Sequence, residues 1–249
     1  VIRGKAAAIV LAVLSSVVFN AAAEELTAVA EPWPPYMEPG LPGQGFLADL
    51  ARRCLGTPER RVRVEFYPWA RAFEAVKEGK ADILMGAYRS AERDAWFQFT
   101  NPVAVSTDSL FALRRTGAAQ FRSLRDLSPY LIGVVRGAVH GEEFDGAAYL
   151  KKEASDSNIR NIEKLIAGRV HLIAGPSDVV RHYIANRFPE HADSIVELTP
   201  ALNKSSMHFA VSRRRGDAAD LCRTMDAAIA RMKADGSLAA LAKRHGISP

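Results

Sequence analysis

The chain has few of the residues whose spacing announces a reaction. Its two cysteines, Cys54 and Cys222, among 249 residues exclude a disulfide-dense scaffold. Six histidines, at 140, 171, 182, 191, 208 and 245, show no metal-ligand spacing, and no phosphate-binding loop or serine–histidine signature accompanies them. Past the first 23 residues no apolar run approaches the about 20 positions of a membrane span. Charge of one sign is scarce too. Lys and Arg number 33 against 28 Asp and Glu, and the arginine runs at 52–53, 60–61, 114–115 and 213–215 lie far apart, whereas a nucleic-acid binder gathers its charge on one face. They read as solvated surface, and no nucleic-acid partner is expected.

What is present is material for a packed interior: 48% hydrophobic and 24% charged residues, in a length that suits one large domain or two lobes of about 100–150 residues each. The first 23 residues differ from the rest. Arg3 and Lys5 precede an apolar run and the small residues Ala21-Ala22-Ala23, the order of a secretory signal peptide cleaved after Ala23. The alternative is a membrane anchor, since residues 6–23 are uncharged; Ser15, Ser16, Asn20 and the alanines make them a poor span. Cleavage removes Arg3 and Lys5, lowers the net charge from +5 to +3, and places the remainder in an oxidising compartment. There Cys54 and Cys222 form a possible disulfide, which sequence leaves open because the approach of their Cα atoms is not visible in it.

Periodicity predicts a strand over residues 26–31, a helix over 46–56, an alternating strand over 62–66, a helix over 69–77 and a buried strand over 81–85. That order implies parallel pairing with right-handed crossovers. Residues 73–86 can then be laid on residues 162–175 without gaps, at a constant offset of 89. In each copy a helix stops at a glycine suited to a left-handed cap, a basic residue follows, and a buried strand ends at a second glycine. Two similar α/β lobes are the expected architecture, with one continuous sheet as the alternative. Between the copies, residues 104–114 read as extended; strand 131–137 and helices 142–152 and 176–187 follow. A second extended segment, 207–212, precedes two closing helices, the first striped by Leu221, Met225, Ile229 and Met232.

In open parallel sheets ligands sit beyond the carboxyl ends of the strands. Residues 31–36, 68–69, 86–93, 136–140 and 175–178 are therefore the candidate loops. Trp33, between prolines, is awkward to bury in a polar loop and is expected to face a ligand; Trp96 is expected in the core. Arg93 lies just past a strand end, where a guanidinium can hold a carboxylate by two parallel bonds or pair with neighbouring Glu92 or Asp94.

Together the loop Glu31-Pro32-Trp33-Pro34-Pro35-Tyr36, the segment Gly45-Phe46-Leu47-Ala48-Asp49-Leu50, Gly79-Lys80-Ala81-Asp82, Ser90-Ala91-Glu92-Arg93 before Phe97-Gln98-Phe99-Thr100-Asn101-Pro102, and the ending Met232-Lys233-Ala234-Asp235-Gly236-Ser237-Leu238 resemble the bacterial extracellular solute-binding proteins of family 3, the amino-acid-type receptors of ABC importers. The resemblance implies a two-lobed type II periplasmic-binding-protein fold. Each lobe is a mixed, mostly parallel sheet flanked by helices, and two hinge strands join them. Lobe one is expected at 24–113 plus 203–249, lobe two at 114–202. Carried over by residue, Arg93 matches the arginine that clamps a ligand α-carboxylate, and Trp33 and Trp69 match rings that flank the ligand side chain. Gly86 and Tyr88 match strand-end residues that meet the ligand amino group, and Gly137, Ala138 and Val139 match the loop supporting the carboxylate. Glu31, Tyr36, Ser177 and Asp178 complete the expected ligand-binding set. One departure stands out: the aspartate that pairs with the ammonium aligns with Pro176, which offers neither a side-chain acceptor nor a backbone donor. Unless Asp178 or Glu31 substitutes, common α-amino acids should bind weakly.

The implied function is a periplasmic, monomeric receptor without cofactor or metal. It closes on a small carboxylate-bearing solute, an amino acid or related compound, and delivers it to a permease in the inner membrane. Two alternatives share the cleft: a cyclohexadienyl-dehydratase-like enzyme, for which Glu31, His140 and Asp178 are the candidate acids or bases, and a sensory or accessory module without a transporter.

Overall fold

The computed structural model describes residues 24–117 and 120–247; the expected signal peptide lies outside the described residues. Strand β1 (Glu24–Ala30) leads through a Pro-rich loop to helix α1 (Phe46–Leu55), then β2 (Arg60–Phe66), α2 (Trp69–Lys77) and β3 (Ile83–Tyr88). β1 pairs in parallel with β2 on one side and β3 on the other. The alternation of apolar residues decides which side chains meet which helices. Ala28, Ala30, Ile83 and Met85 pack in one cluster with α1, whereas Val29, Leu84 and Ala87 pack in another with Ala72 and Val76 of α2. β3, covered on both faces, is buried throughout. At the sheet edge β2 keeps the expected alternation, with Val62 and Val64 inside and Arg61 and Arg63 outside.

After the short strand β4 (Phe97–Phe99) comes β5 (Ala104–Leu113), which changes partner along its length. Residues 104–108 pair antiparallel with the start of β10 (Asn203–Ser212), and residues 108–112 pair with β8 (Leu172–Pro176). β10 likewise runs on to pair with β3 and β4. These two ten-residue strands join the two halves of one ten-stranded sheet. The second half holds β6 (Leu131–Val135) between β7 (Lys151–Ser155) and β8, all parallel. Helices α3 (Glu142–Gly146), α4 (Asn158–Ile166) and α5 (Ser177–Arg187) belong to it, and the short β9 (Ile195–Glu197) borders β5. Helices α6 (Ala218–Ala234) and α7 (Ser237–Arg244) return to the first half, where Leu221, Met225 and Ile229 are buried in one core cluster with α1.

The internal repeat holds at the level of single hydrogen bonds. Lys80 N–H donates to Ala75 O and Arg169 N–H to Lys164 O, both at 2.8 Å; Asp82 N–H donates to Thr27 O and His171 N–H to Leu131 O, both at 2.9 Å. The first two bonds are related at both ends by the offset of 89; in the second two the donors are so related, and each acceptor lies on the neighbouring parallel strand of its own half. Gly79 and Gly168 stop their helices at φ of 75° and 69°, as a left-handed cap requires.

One expectation needs correction, two short strands go beyond the sequence reading, and the disulfide that sequence leaves open is not formed. The helix expected over 142–152 ends at Gly146, and residues 151–155 form β7 instead; Lys152 Nζ donates to the carbonyls of Phe144 and Asp145, closing the helix end that the strand then leaves. β4 and β9, three residues each, are too short to show a period. Finally, Cys54 and Cys222 are free and buried, not bridged: Cys222 Sγ donates to the carbonyl of Gln98 at 3.3 Å, turned toward β4. Among the described residues no helix is long and apolar enough to cross a membrane.

Candidate functional site

The carboxyl ends of β1, β3, β6 and β8 converge from both half-sheets on one cavity, as the rule for open parallel sheets requires. Its wall comprises Glu31, Trp33 and Met37 after β1, Trp69 at the start of α2, Gly86 and Tyr88 of β3, and Arg93 beyond it. From the other half come Val135, Ala138, Val139 and His140 after β6, Asn158 at the start of α4 and Pro176 ending β8, while Asp108 enters from β5.

Arg93 is 5% exposed. Its Nη1 donates to Tyr88 O at 2.8 Å and its Nη2 to Gly137 O at 3.2 Å, while the guanidinium carbon stands 5.4 Å from the rings of both Trp69 and Phe73. Pairing with neighbouring acids does not occur: Asp94 is gripped by Arg89 at 2.8 and 3.1 Å, Glu92 is exposed, and Arg93 enters no ion pair among the described residues. Three of its five N–H donors are left over. Burial lowers its pKa, and the more distant charges of Glu92 and Asp145 oppose that. A buried cation without a counter-ion is costly, and a ligand anion would supply one.

The aromatic wall is built on a glycine. At Gly86, φ is 72°, and a Cβ there would stand 2.6 Å from Met37 Cε and 3.1 Å from the Trp33 ring. The absence of a side chain lets the indole cross the strand end, where it packs 5.7 Å from the Tyr88 ring and 6.2 Å from Tyr36. Trp69 donates its indole N–H to Gly137 O at 3.0 Å. Trp96, expected in the core, is instead half-buried at its margin, edge-on to Phe73 at 5.9 Å and with the Lys77 ammonium 4.3 Å from its ring.

Eight of the twelve expected site residues line the cavity: Glu31, Trp33, Trp69, Gly86, Tyr88, Arg93, Ala138 and Val139. The other four are placed elsewhere. Tyr36 and Asp178 bond each other at 3.0 Å, bridging the two halves beside the cavity. Ser177 is drawn into a buried network with Ser109 at 2.9 Å and Glu197 at 2.7 Å. Gly137 contributes its carbonyl to Trp69 and Arg93 and is not itself part of the wall. Asp178 is thereby occupied. Glu31, 9% exposed, is held by burial at a pKa of about 8, with the backbone N–H of Asn158 opposing the rise, and so is mostly protonated at neutral pH. Neither substitutes simply for the acid absent at Pro176.

Met37, Val135, Asn158 and Asp108 are wall residues that the sequence reading passed over. Asp108 is the consequential one, being 1% exposed, with Oδ1 3.0 Å from His140 Nδ1. The only signal for it in sequence was an acid at the head of an apolar strand.

Among curated protein sequences no match was found. Solved structures share the fold at low identity. A histidine kinase sensor domain with similarity to periplasmic binding proteins superposes with a TM-score of 0.79 at 19% identity, covering 92% of this chain and 99% of its own. A mutant of ArgBP from T. maritima gives 0.76 at 16%, covering 88% and 94%. The amino acid ABC transporter substrate-binding protein AbpA from Streptococcus pneumoniae, bound to L-arginine, gives 0.73 at 18%, covering 89% and 94%. The family model for bacterial extracellular solute-binding proteins, family 3, matches residues 26–247. With that match spanning nearly the whole chain, the chain belongs to the bacterial extracellular solute-binding proteins of family 3.

Proposed function

We propose that the protein is a periplasmic receptor that closes its two lobes on a small carboxylate-bearing solute and hands it to an ABC importer. The observation that carries this reading is Arg93: a buried guanidinium with donors to spare and no counter-ion, on the wall of a cavity that both lobes complete. A planar fork of this kind matches a carboxylate through two bonds. The lobes are residues 24–113 with 203–249, and 114–202; β5 and β10 act as the hinge. Ligand binding favours the closed form because the carboxylate meets groups of both lobes only there. Support for the solute class comes from the family and from structural relatives that are amino acid receptors of ABC transporters. The test is a thermal-shift screen of small carboxylates, each beside its uncharged amide. Carboxylates that raise the melting temperature while their amides do not are expected; equal shifts within the pairs would refute the anion reading.

A second reading, an enzyme on the same fold, is favoured by one observation: His140 Nδ1 bonded to Asp108 with Nε2 turned free, the arrangement of a base held by an orienting acid. Elimination of water from a cyclic hydroxy acid by the purified protein, lost in His140→Gln, would establish it.

A further inference from the structure

Glu31 sits where the two lobes meet. It follows β1 in lobe one, lines the cavity and is 9% exposed. Part of its cover comes from lobe two, where the backbone N–H of Asn158, in the first turn of α4, reaches its carboxyl. The loop that carries it is pressed against α5 on the same side: Tyr183 donates to the carbonyl of the next residue, Pro32, at 3.1 Å, and Tyr36 donates to Asp178 at 3.0 Å. A carboxyl placed here is buried by closure and returned to water by opening.

Glu31 also lacks a cation of its own. The titratable groups around it are Tyr88, Arg93, Asp108 and His140 on the same cavity wall, Asp178 and Tyr183 on α5, and Glu38 in its own loop. Arg93 gives its bonds to the carbonyls of Tyr88 and Gly137, Asp178 is held by Tyr36, and Glu38 stands 3.6 Å from Arg187. Burial, with Glu38 and Glu31 behind it, pushes the Tyr183 phenol up, so it remains a hydroxyl. What acts on the Glu31 proton is burial first, opposed only by the Asn158 N–H, and its pKa stands at about 8 against an ordinary 4.5. A carboxylate that is buried without a counter-ion takes up a proton instead of keeping its charge. A solute carboxylate brought into the same cavity adds a like charge and acts in the same direction.

We propose that Glu31 couples closure to proton uptake: as α4 and α5 close over it, its carboxylate takes one proton from solvent, and a carboxylate solute and that proton enter and leave the cleft together. This coupling rests on the receptor reading, since a solute must close the lobes. The step forms one O–H bond on Glu31, and water or buffer gives up the proton. Because the closed form holds the proton more tightly than the open one, the gain in affinity is whole below pH 4.5 and is lost as pH rises through about 8.

The experiment titrates the wild-type protein calorimetrically with pyruvate, L-lactate, benzoate and the common L-α-amino acids other than histidine. Each titration that shows binding is repeated in PIPES and in imidazole, buffers whose different ionisation enthalpies count the protons exchanged. At about pH 6.5 an uptake of roughly one proton per solute is expected, with affinity roughly tenfold weaker at pH 7 than at pH 6. In Glu31→Gln the uptake is expected to vanish and the affinity, whatever its level, to be the same at both pH values. Binding by the wild type without proton uptake, or an uptake that survives Glu31→Gln, as it would if His140 were its source, would overturn the coupling and leave the receptor reading standing. No binding by any member of the panel would overturn both. Should Glu31→Gln fail to fold, Glu31→Leu takes its place, and a wild-type count of zero decides against the coupling alone.

Discussion

Burial without partners is what distinguishes the residues of this cleft from the rest of the interior. Elsewhere charged side chains are answered: Arg215 meets Glu24, Asp82 and Asp217 at 3.0, 2.6 and 2.9 Å. In the cleft Arg93 has only carbonyls, and Glu31 has only a backbone N–H to oppose its burial. Glu31 makes a consequence measurable. Its pKa rises from 4.5 to about 8 in the folded protein, so the folded state holds a proton that the unfolded state releases. Its stabilisation is complete below pH 4.5 and is lost as pH rises through about 8. The melting temperature should therefore decline across that window, and Glu31→Gln should flatten the decline; the same slope in both proteins would show that Glu31 is not its source. The thiols give a second expectation. Burial pushes Cys54 up to about 11 and Cys222 up to about 12, so neither offers much thiolate at pH 8. Ellman's reagent should react slowly with the native protein and find two thiols after denaturation, whereas none after denaturation would mean a disulfide.

Among the elements, the strand ends and the turns that follow them decide where the site stands. Gly86 holds a left-handed conformation against the Trp33 ring. Gly86→Ala should cost about 1–2 kcal/mol in chemical denaturation from backbone strain alone and should alter Trp33 fluorescence; an unchanged midpoint and spectrum would contradict the tight approach. Much at this scale was legible in the sequence. Residues 69–77 show a helical period and form α2 with those bounds, and the repeat at 73–86 and 162–175 was readable because a helix stop, a turn and a buried strand each constrain residue type. β7 was not, since Lys151 and Glu153 carry no apolar alternation and the strand is paired on one side only, by β6. Asp108 was invisible as a site residue for a related reason. Its partner His140 is 32 positions away, and only the antiparallel β5–β8 and parallel β6–β8 pairings bring the two together. Tyr36 and Asp178 were read as ligand contacts because they lie in the right loops, but loop membership does not reveal that they bond each other.

For the molecule as a whole, a few bonds cross the cleft between the halves: Trp69 and Arg93 to Gly137, Tyr36 to Asp178, Tyr183 to the Pro32 carbonyl at 3.1 Å, and Arg187 with Glu38 at 3.6 Å. Each contributes on the order of 1 kcal/mol or less, and β5 and β10 carry one ten-stranded sheet through both halves. Removing two of these bonds in Trp69→Phe with Tyr36→Phe should move the ligand-free protein toward an open form, seen as a larger radius of gyration in solution scattering that ligand reverses; an unchanged radius would argue for a rigid body. That closure serves a carboxylate is the central claim, and calorimetry on Arg93→Gln tests it most directly. Titrated with whichever small carboxylate most raises the melting temperature of the wild type, the variant should retain its fold and lose about 2–5 kcal/mol of binding free energy. Affinity unchanged from the wild type would contradict the claim.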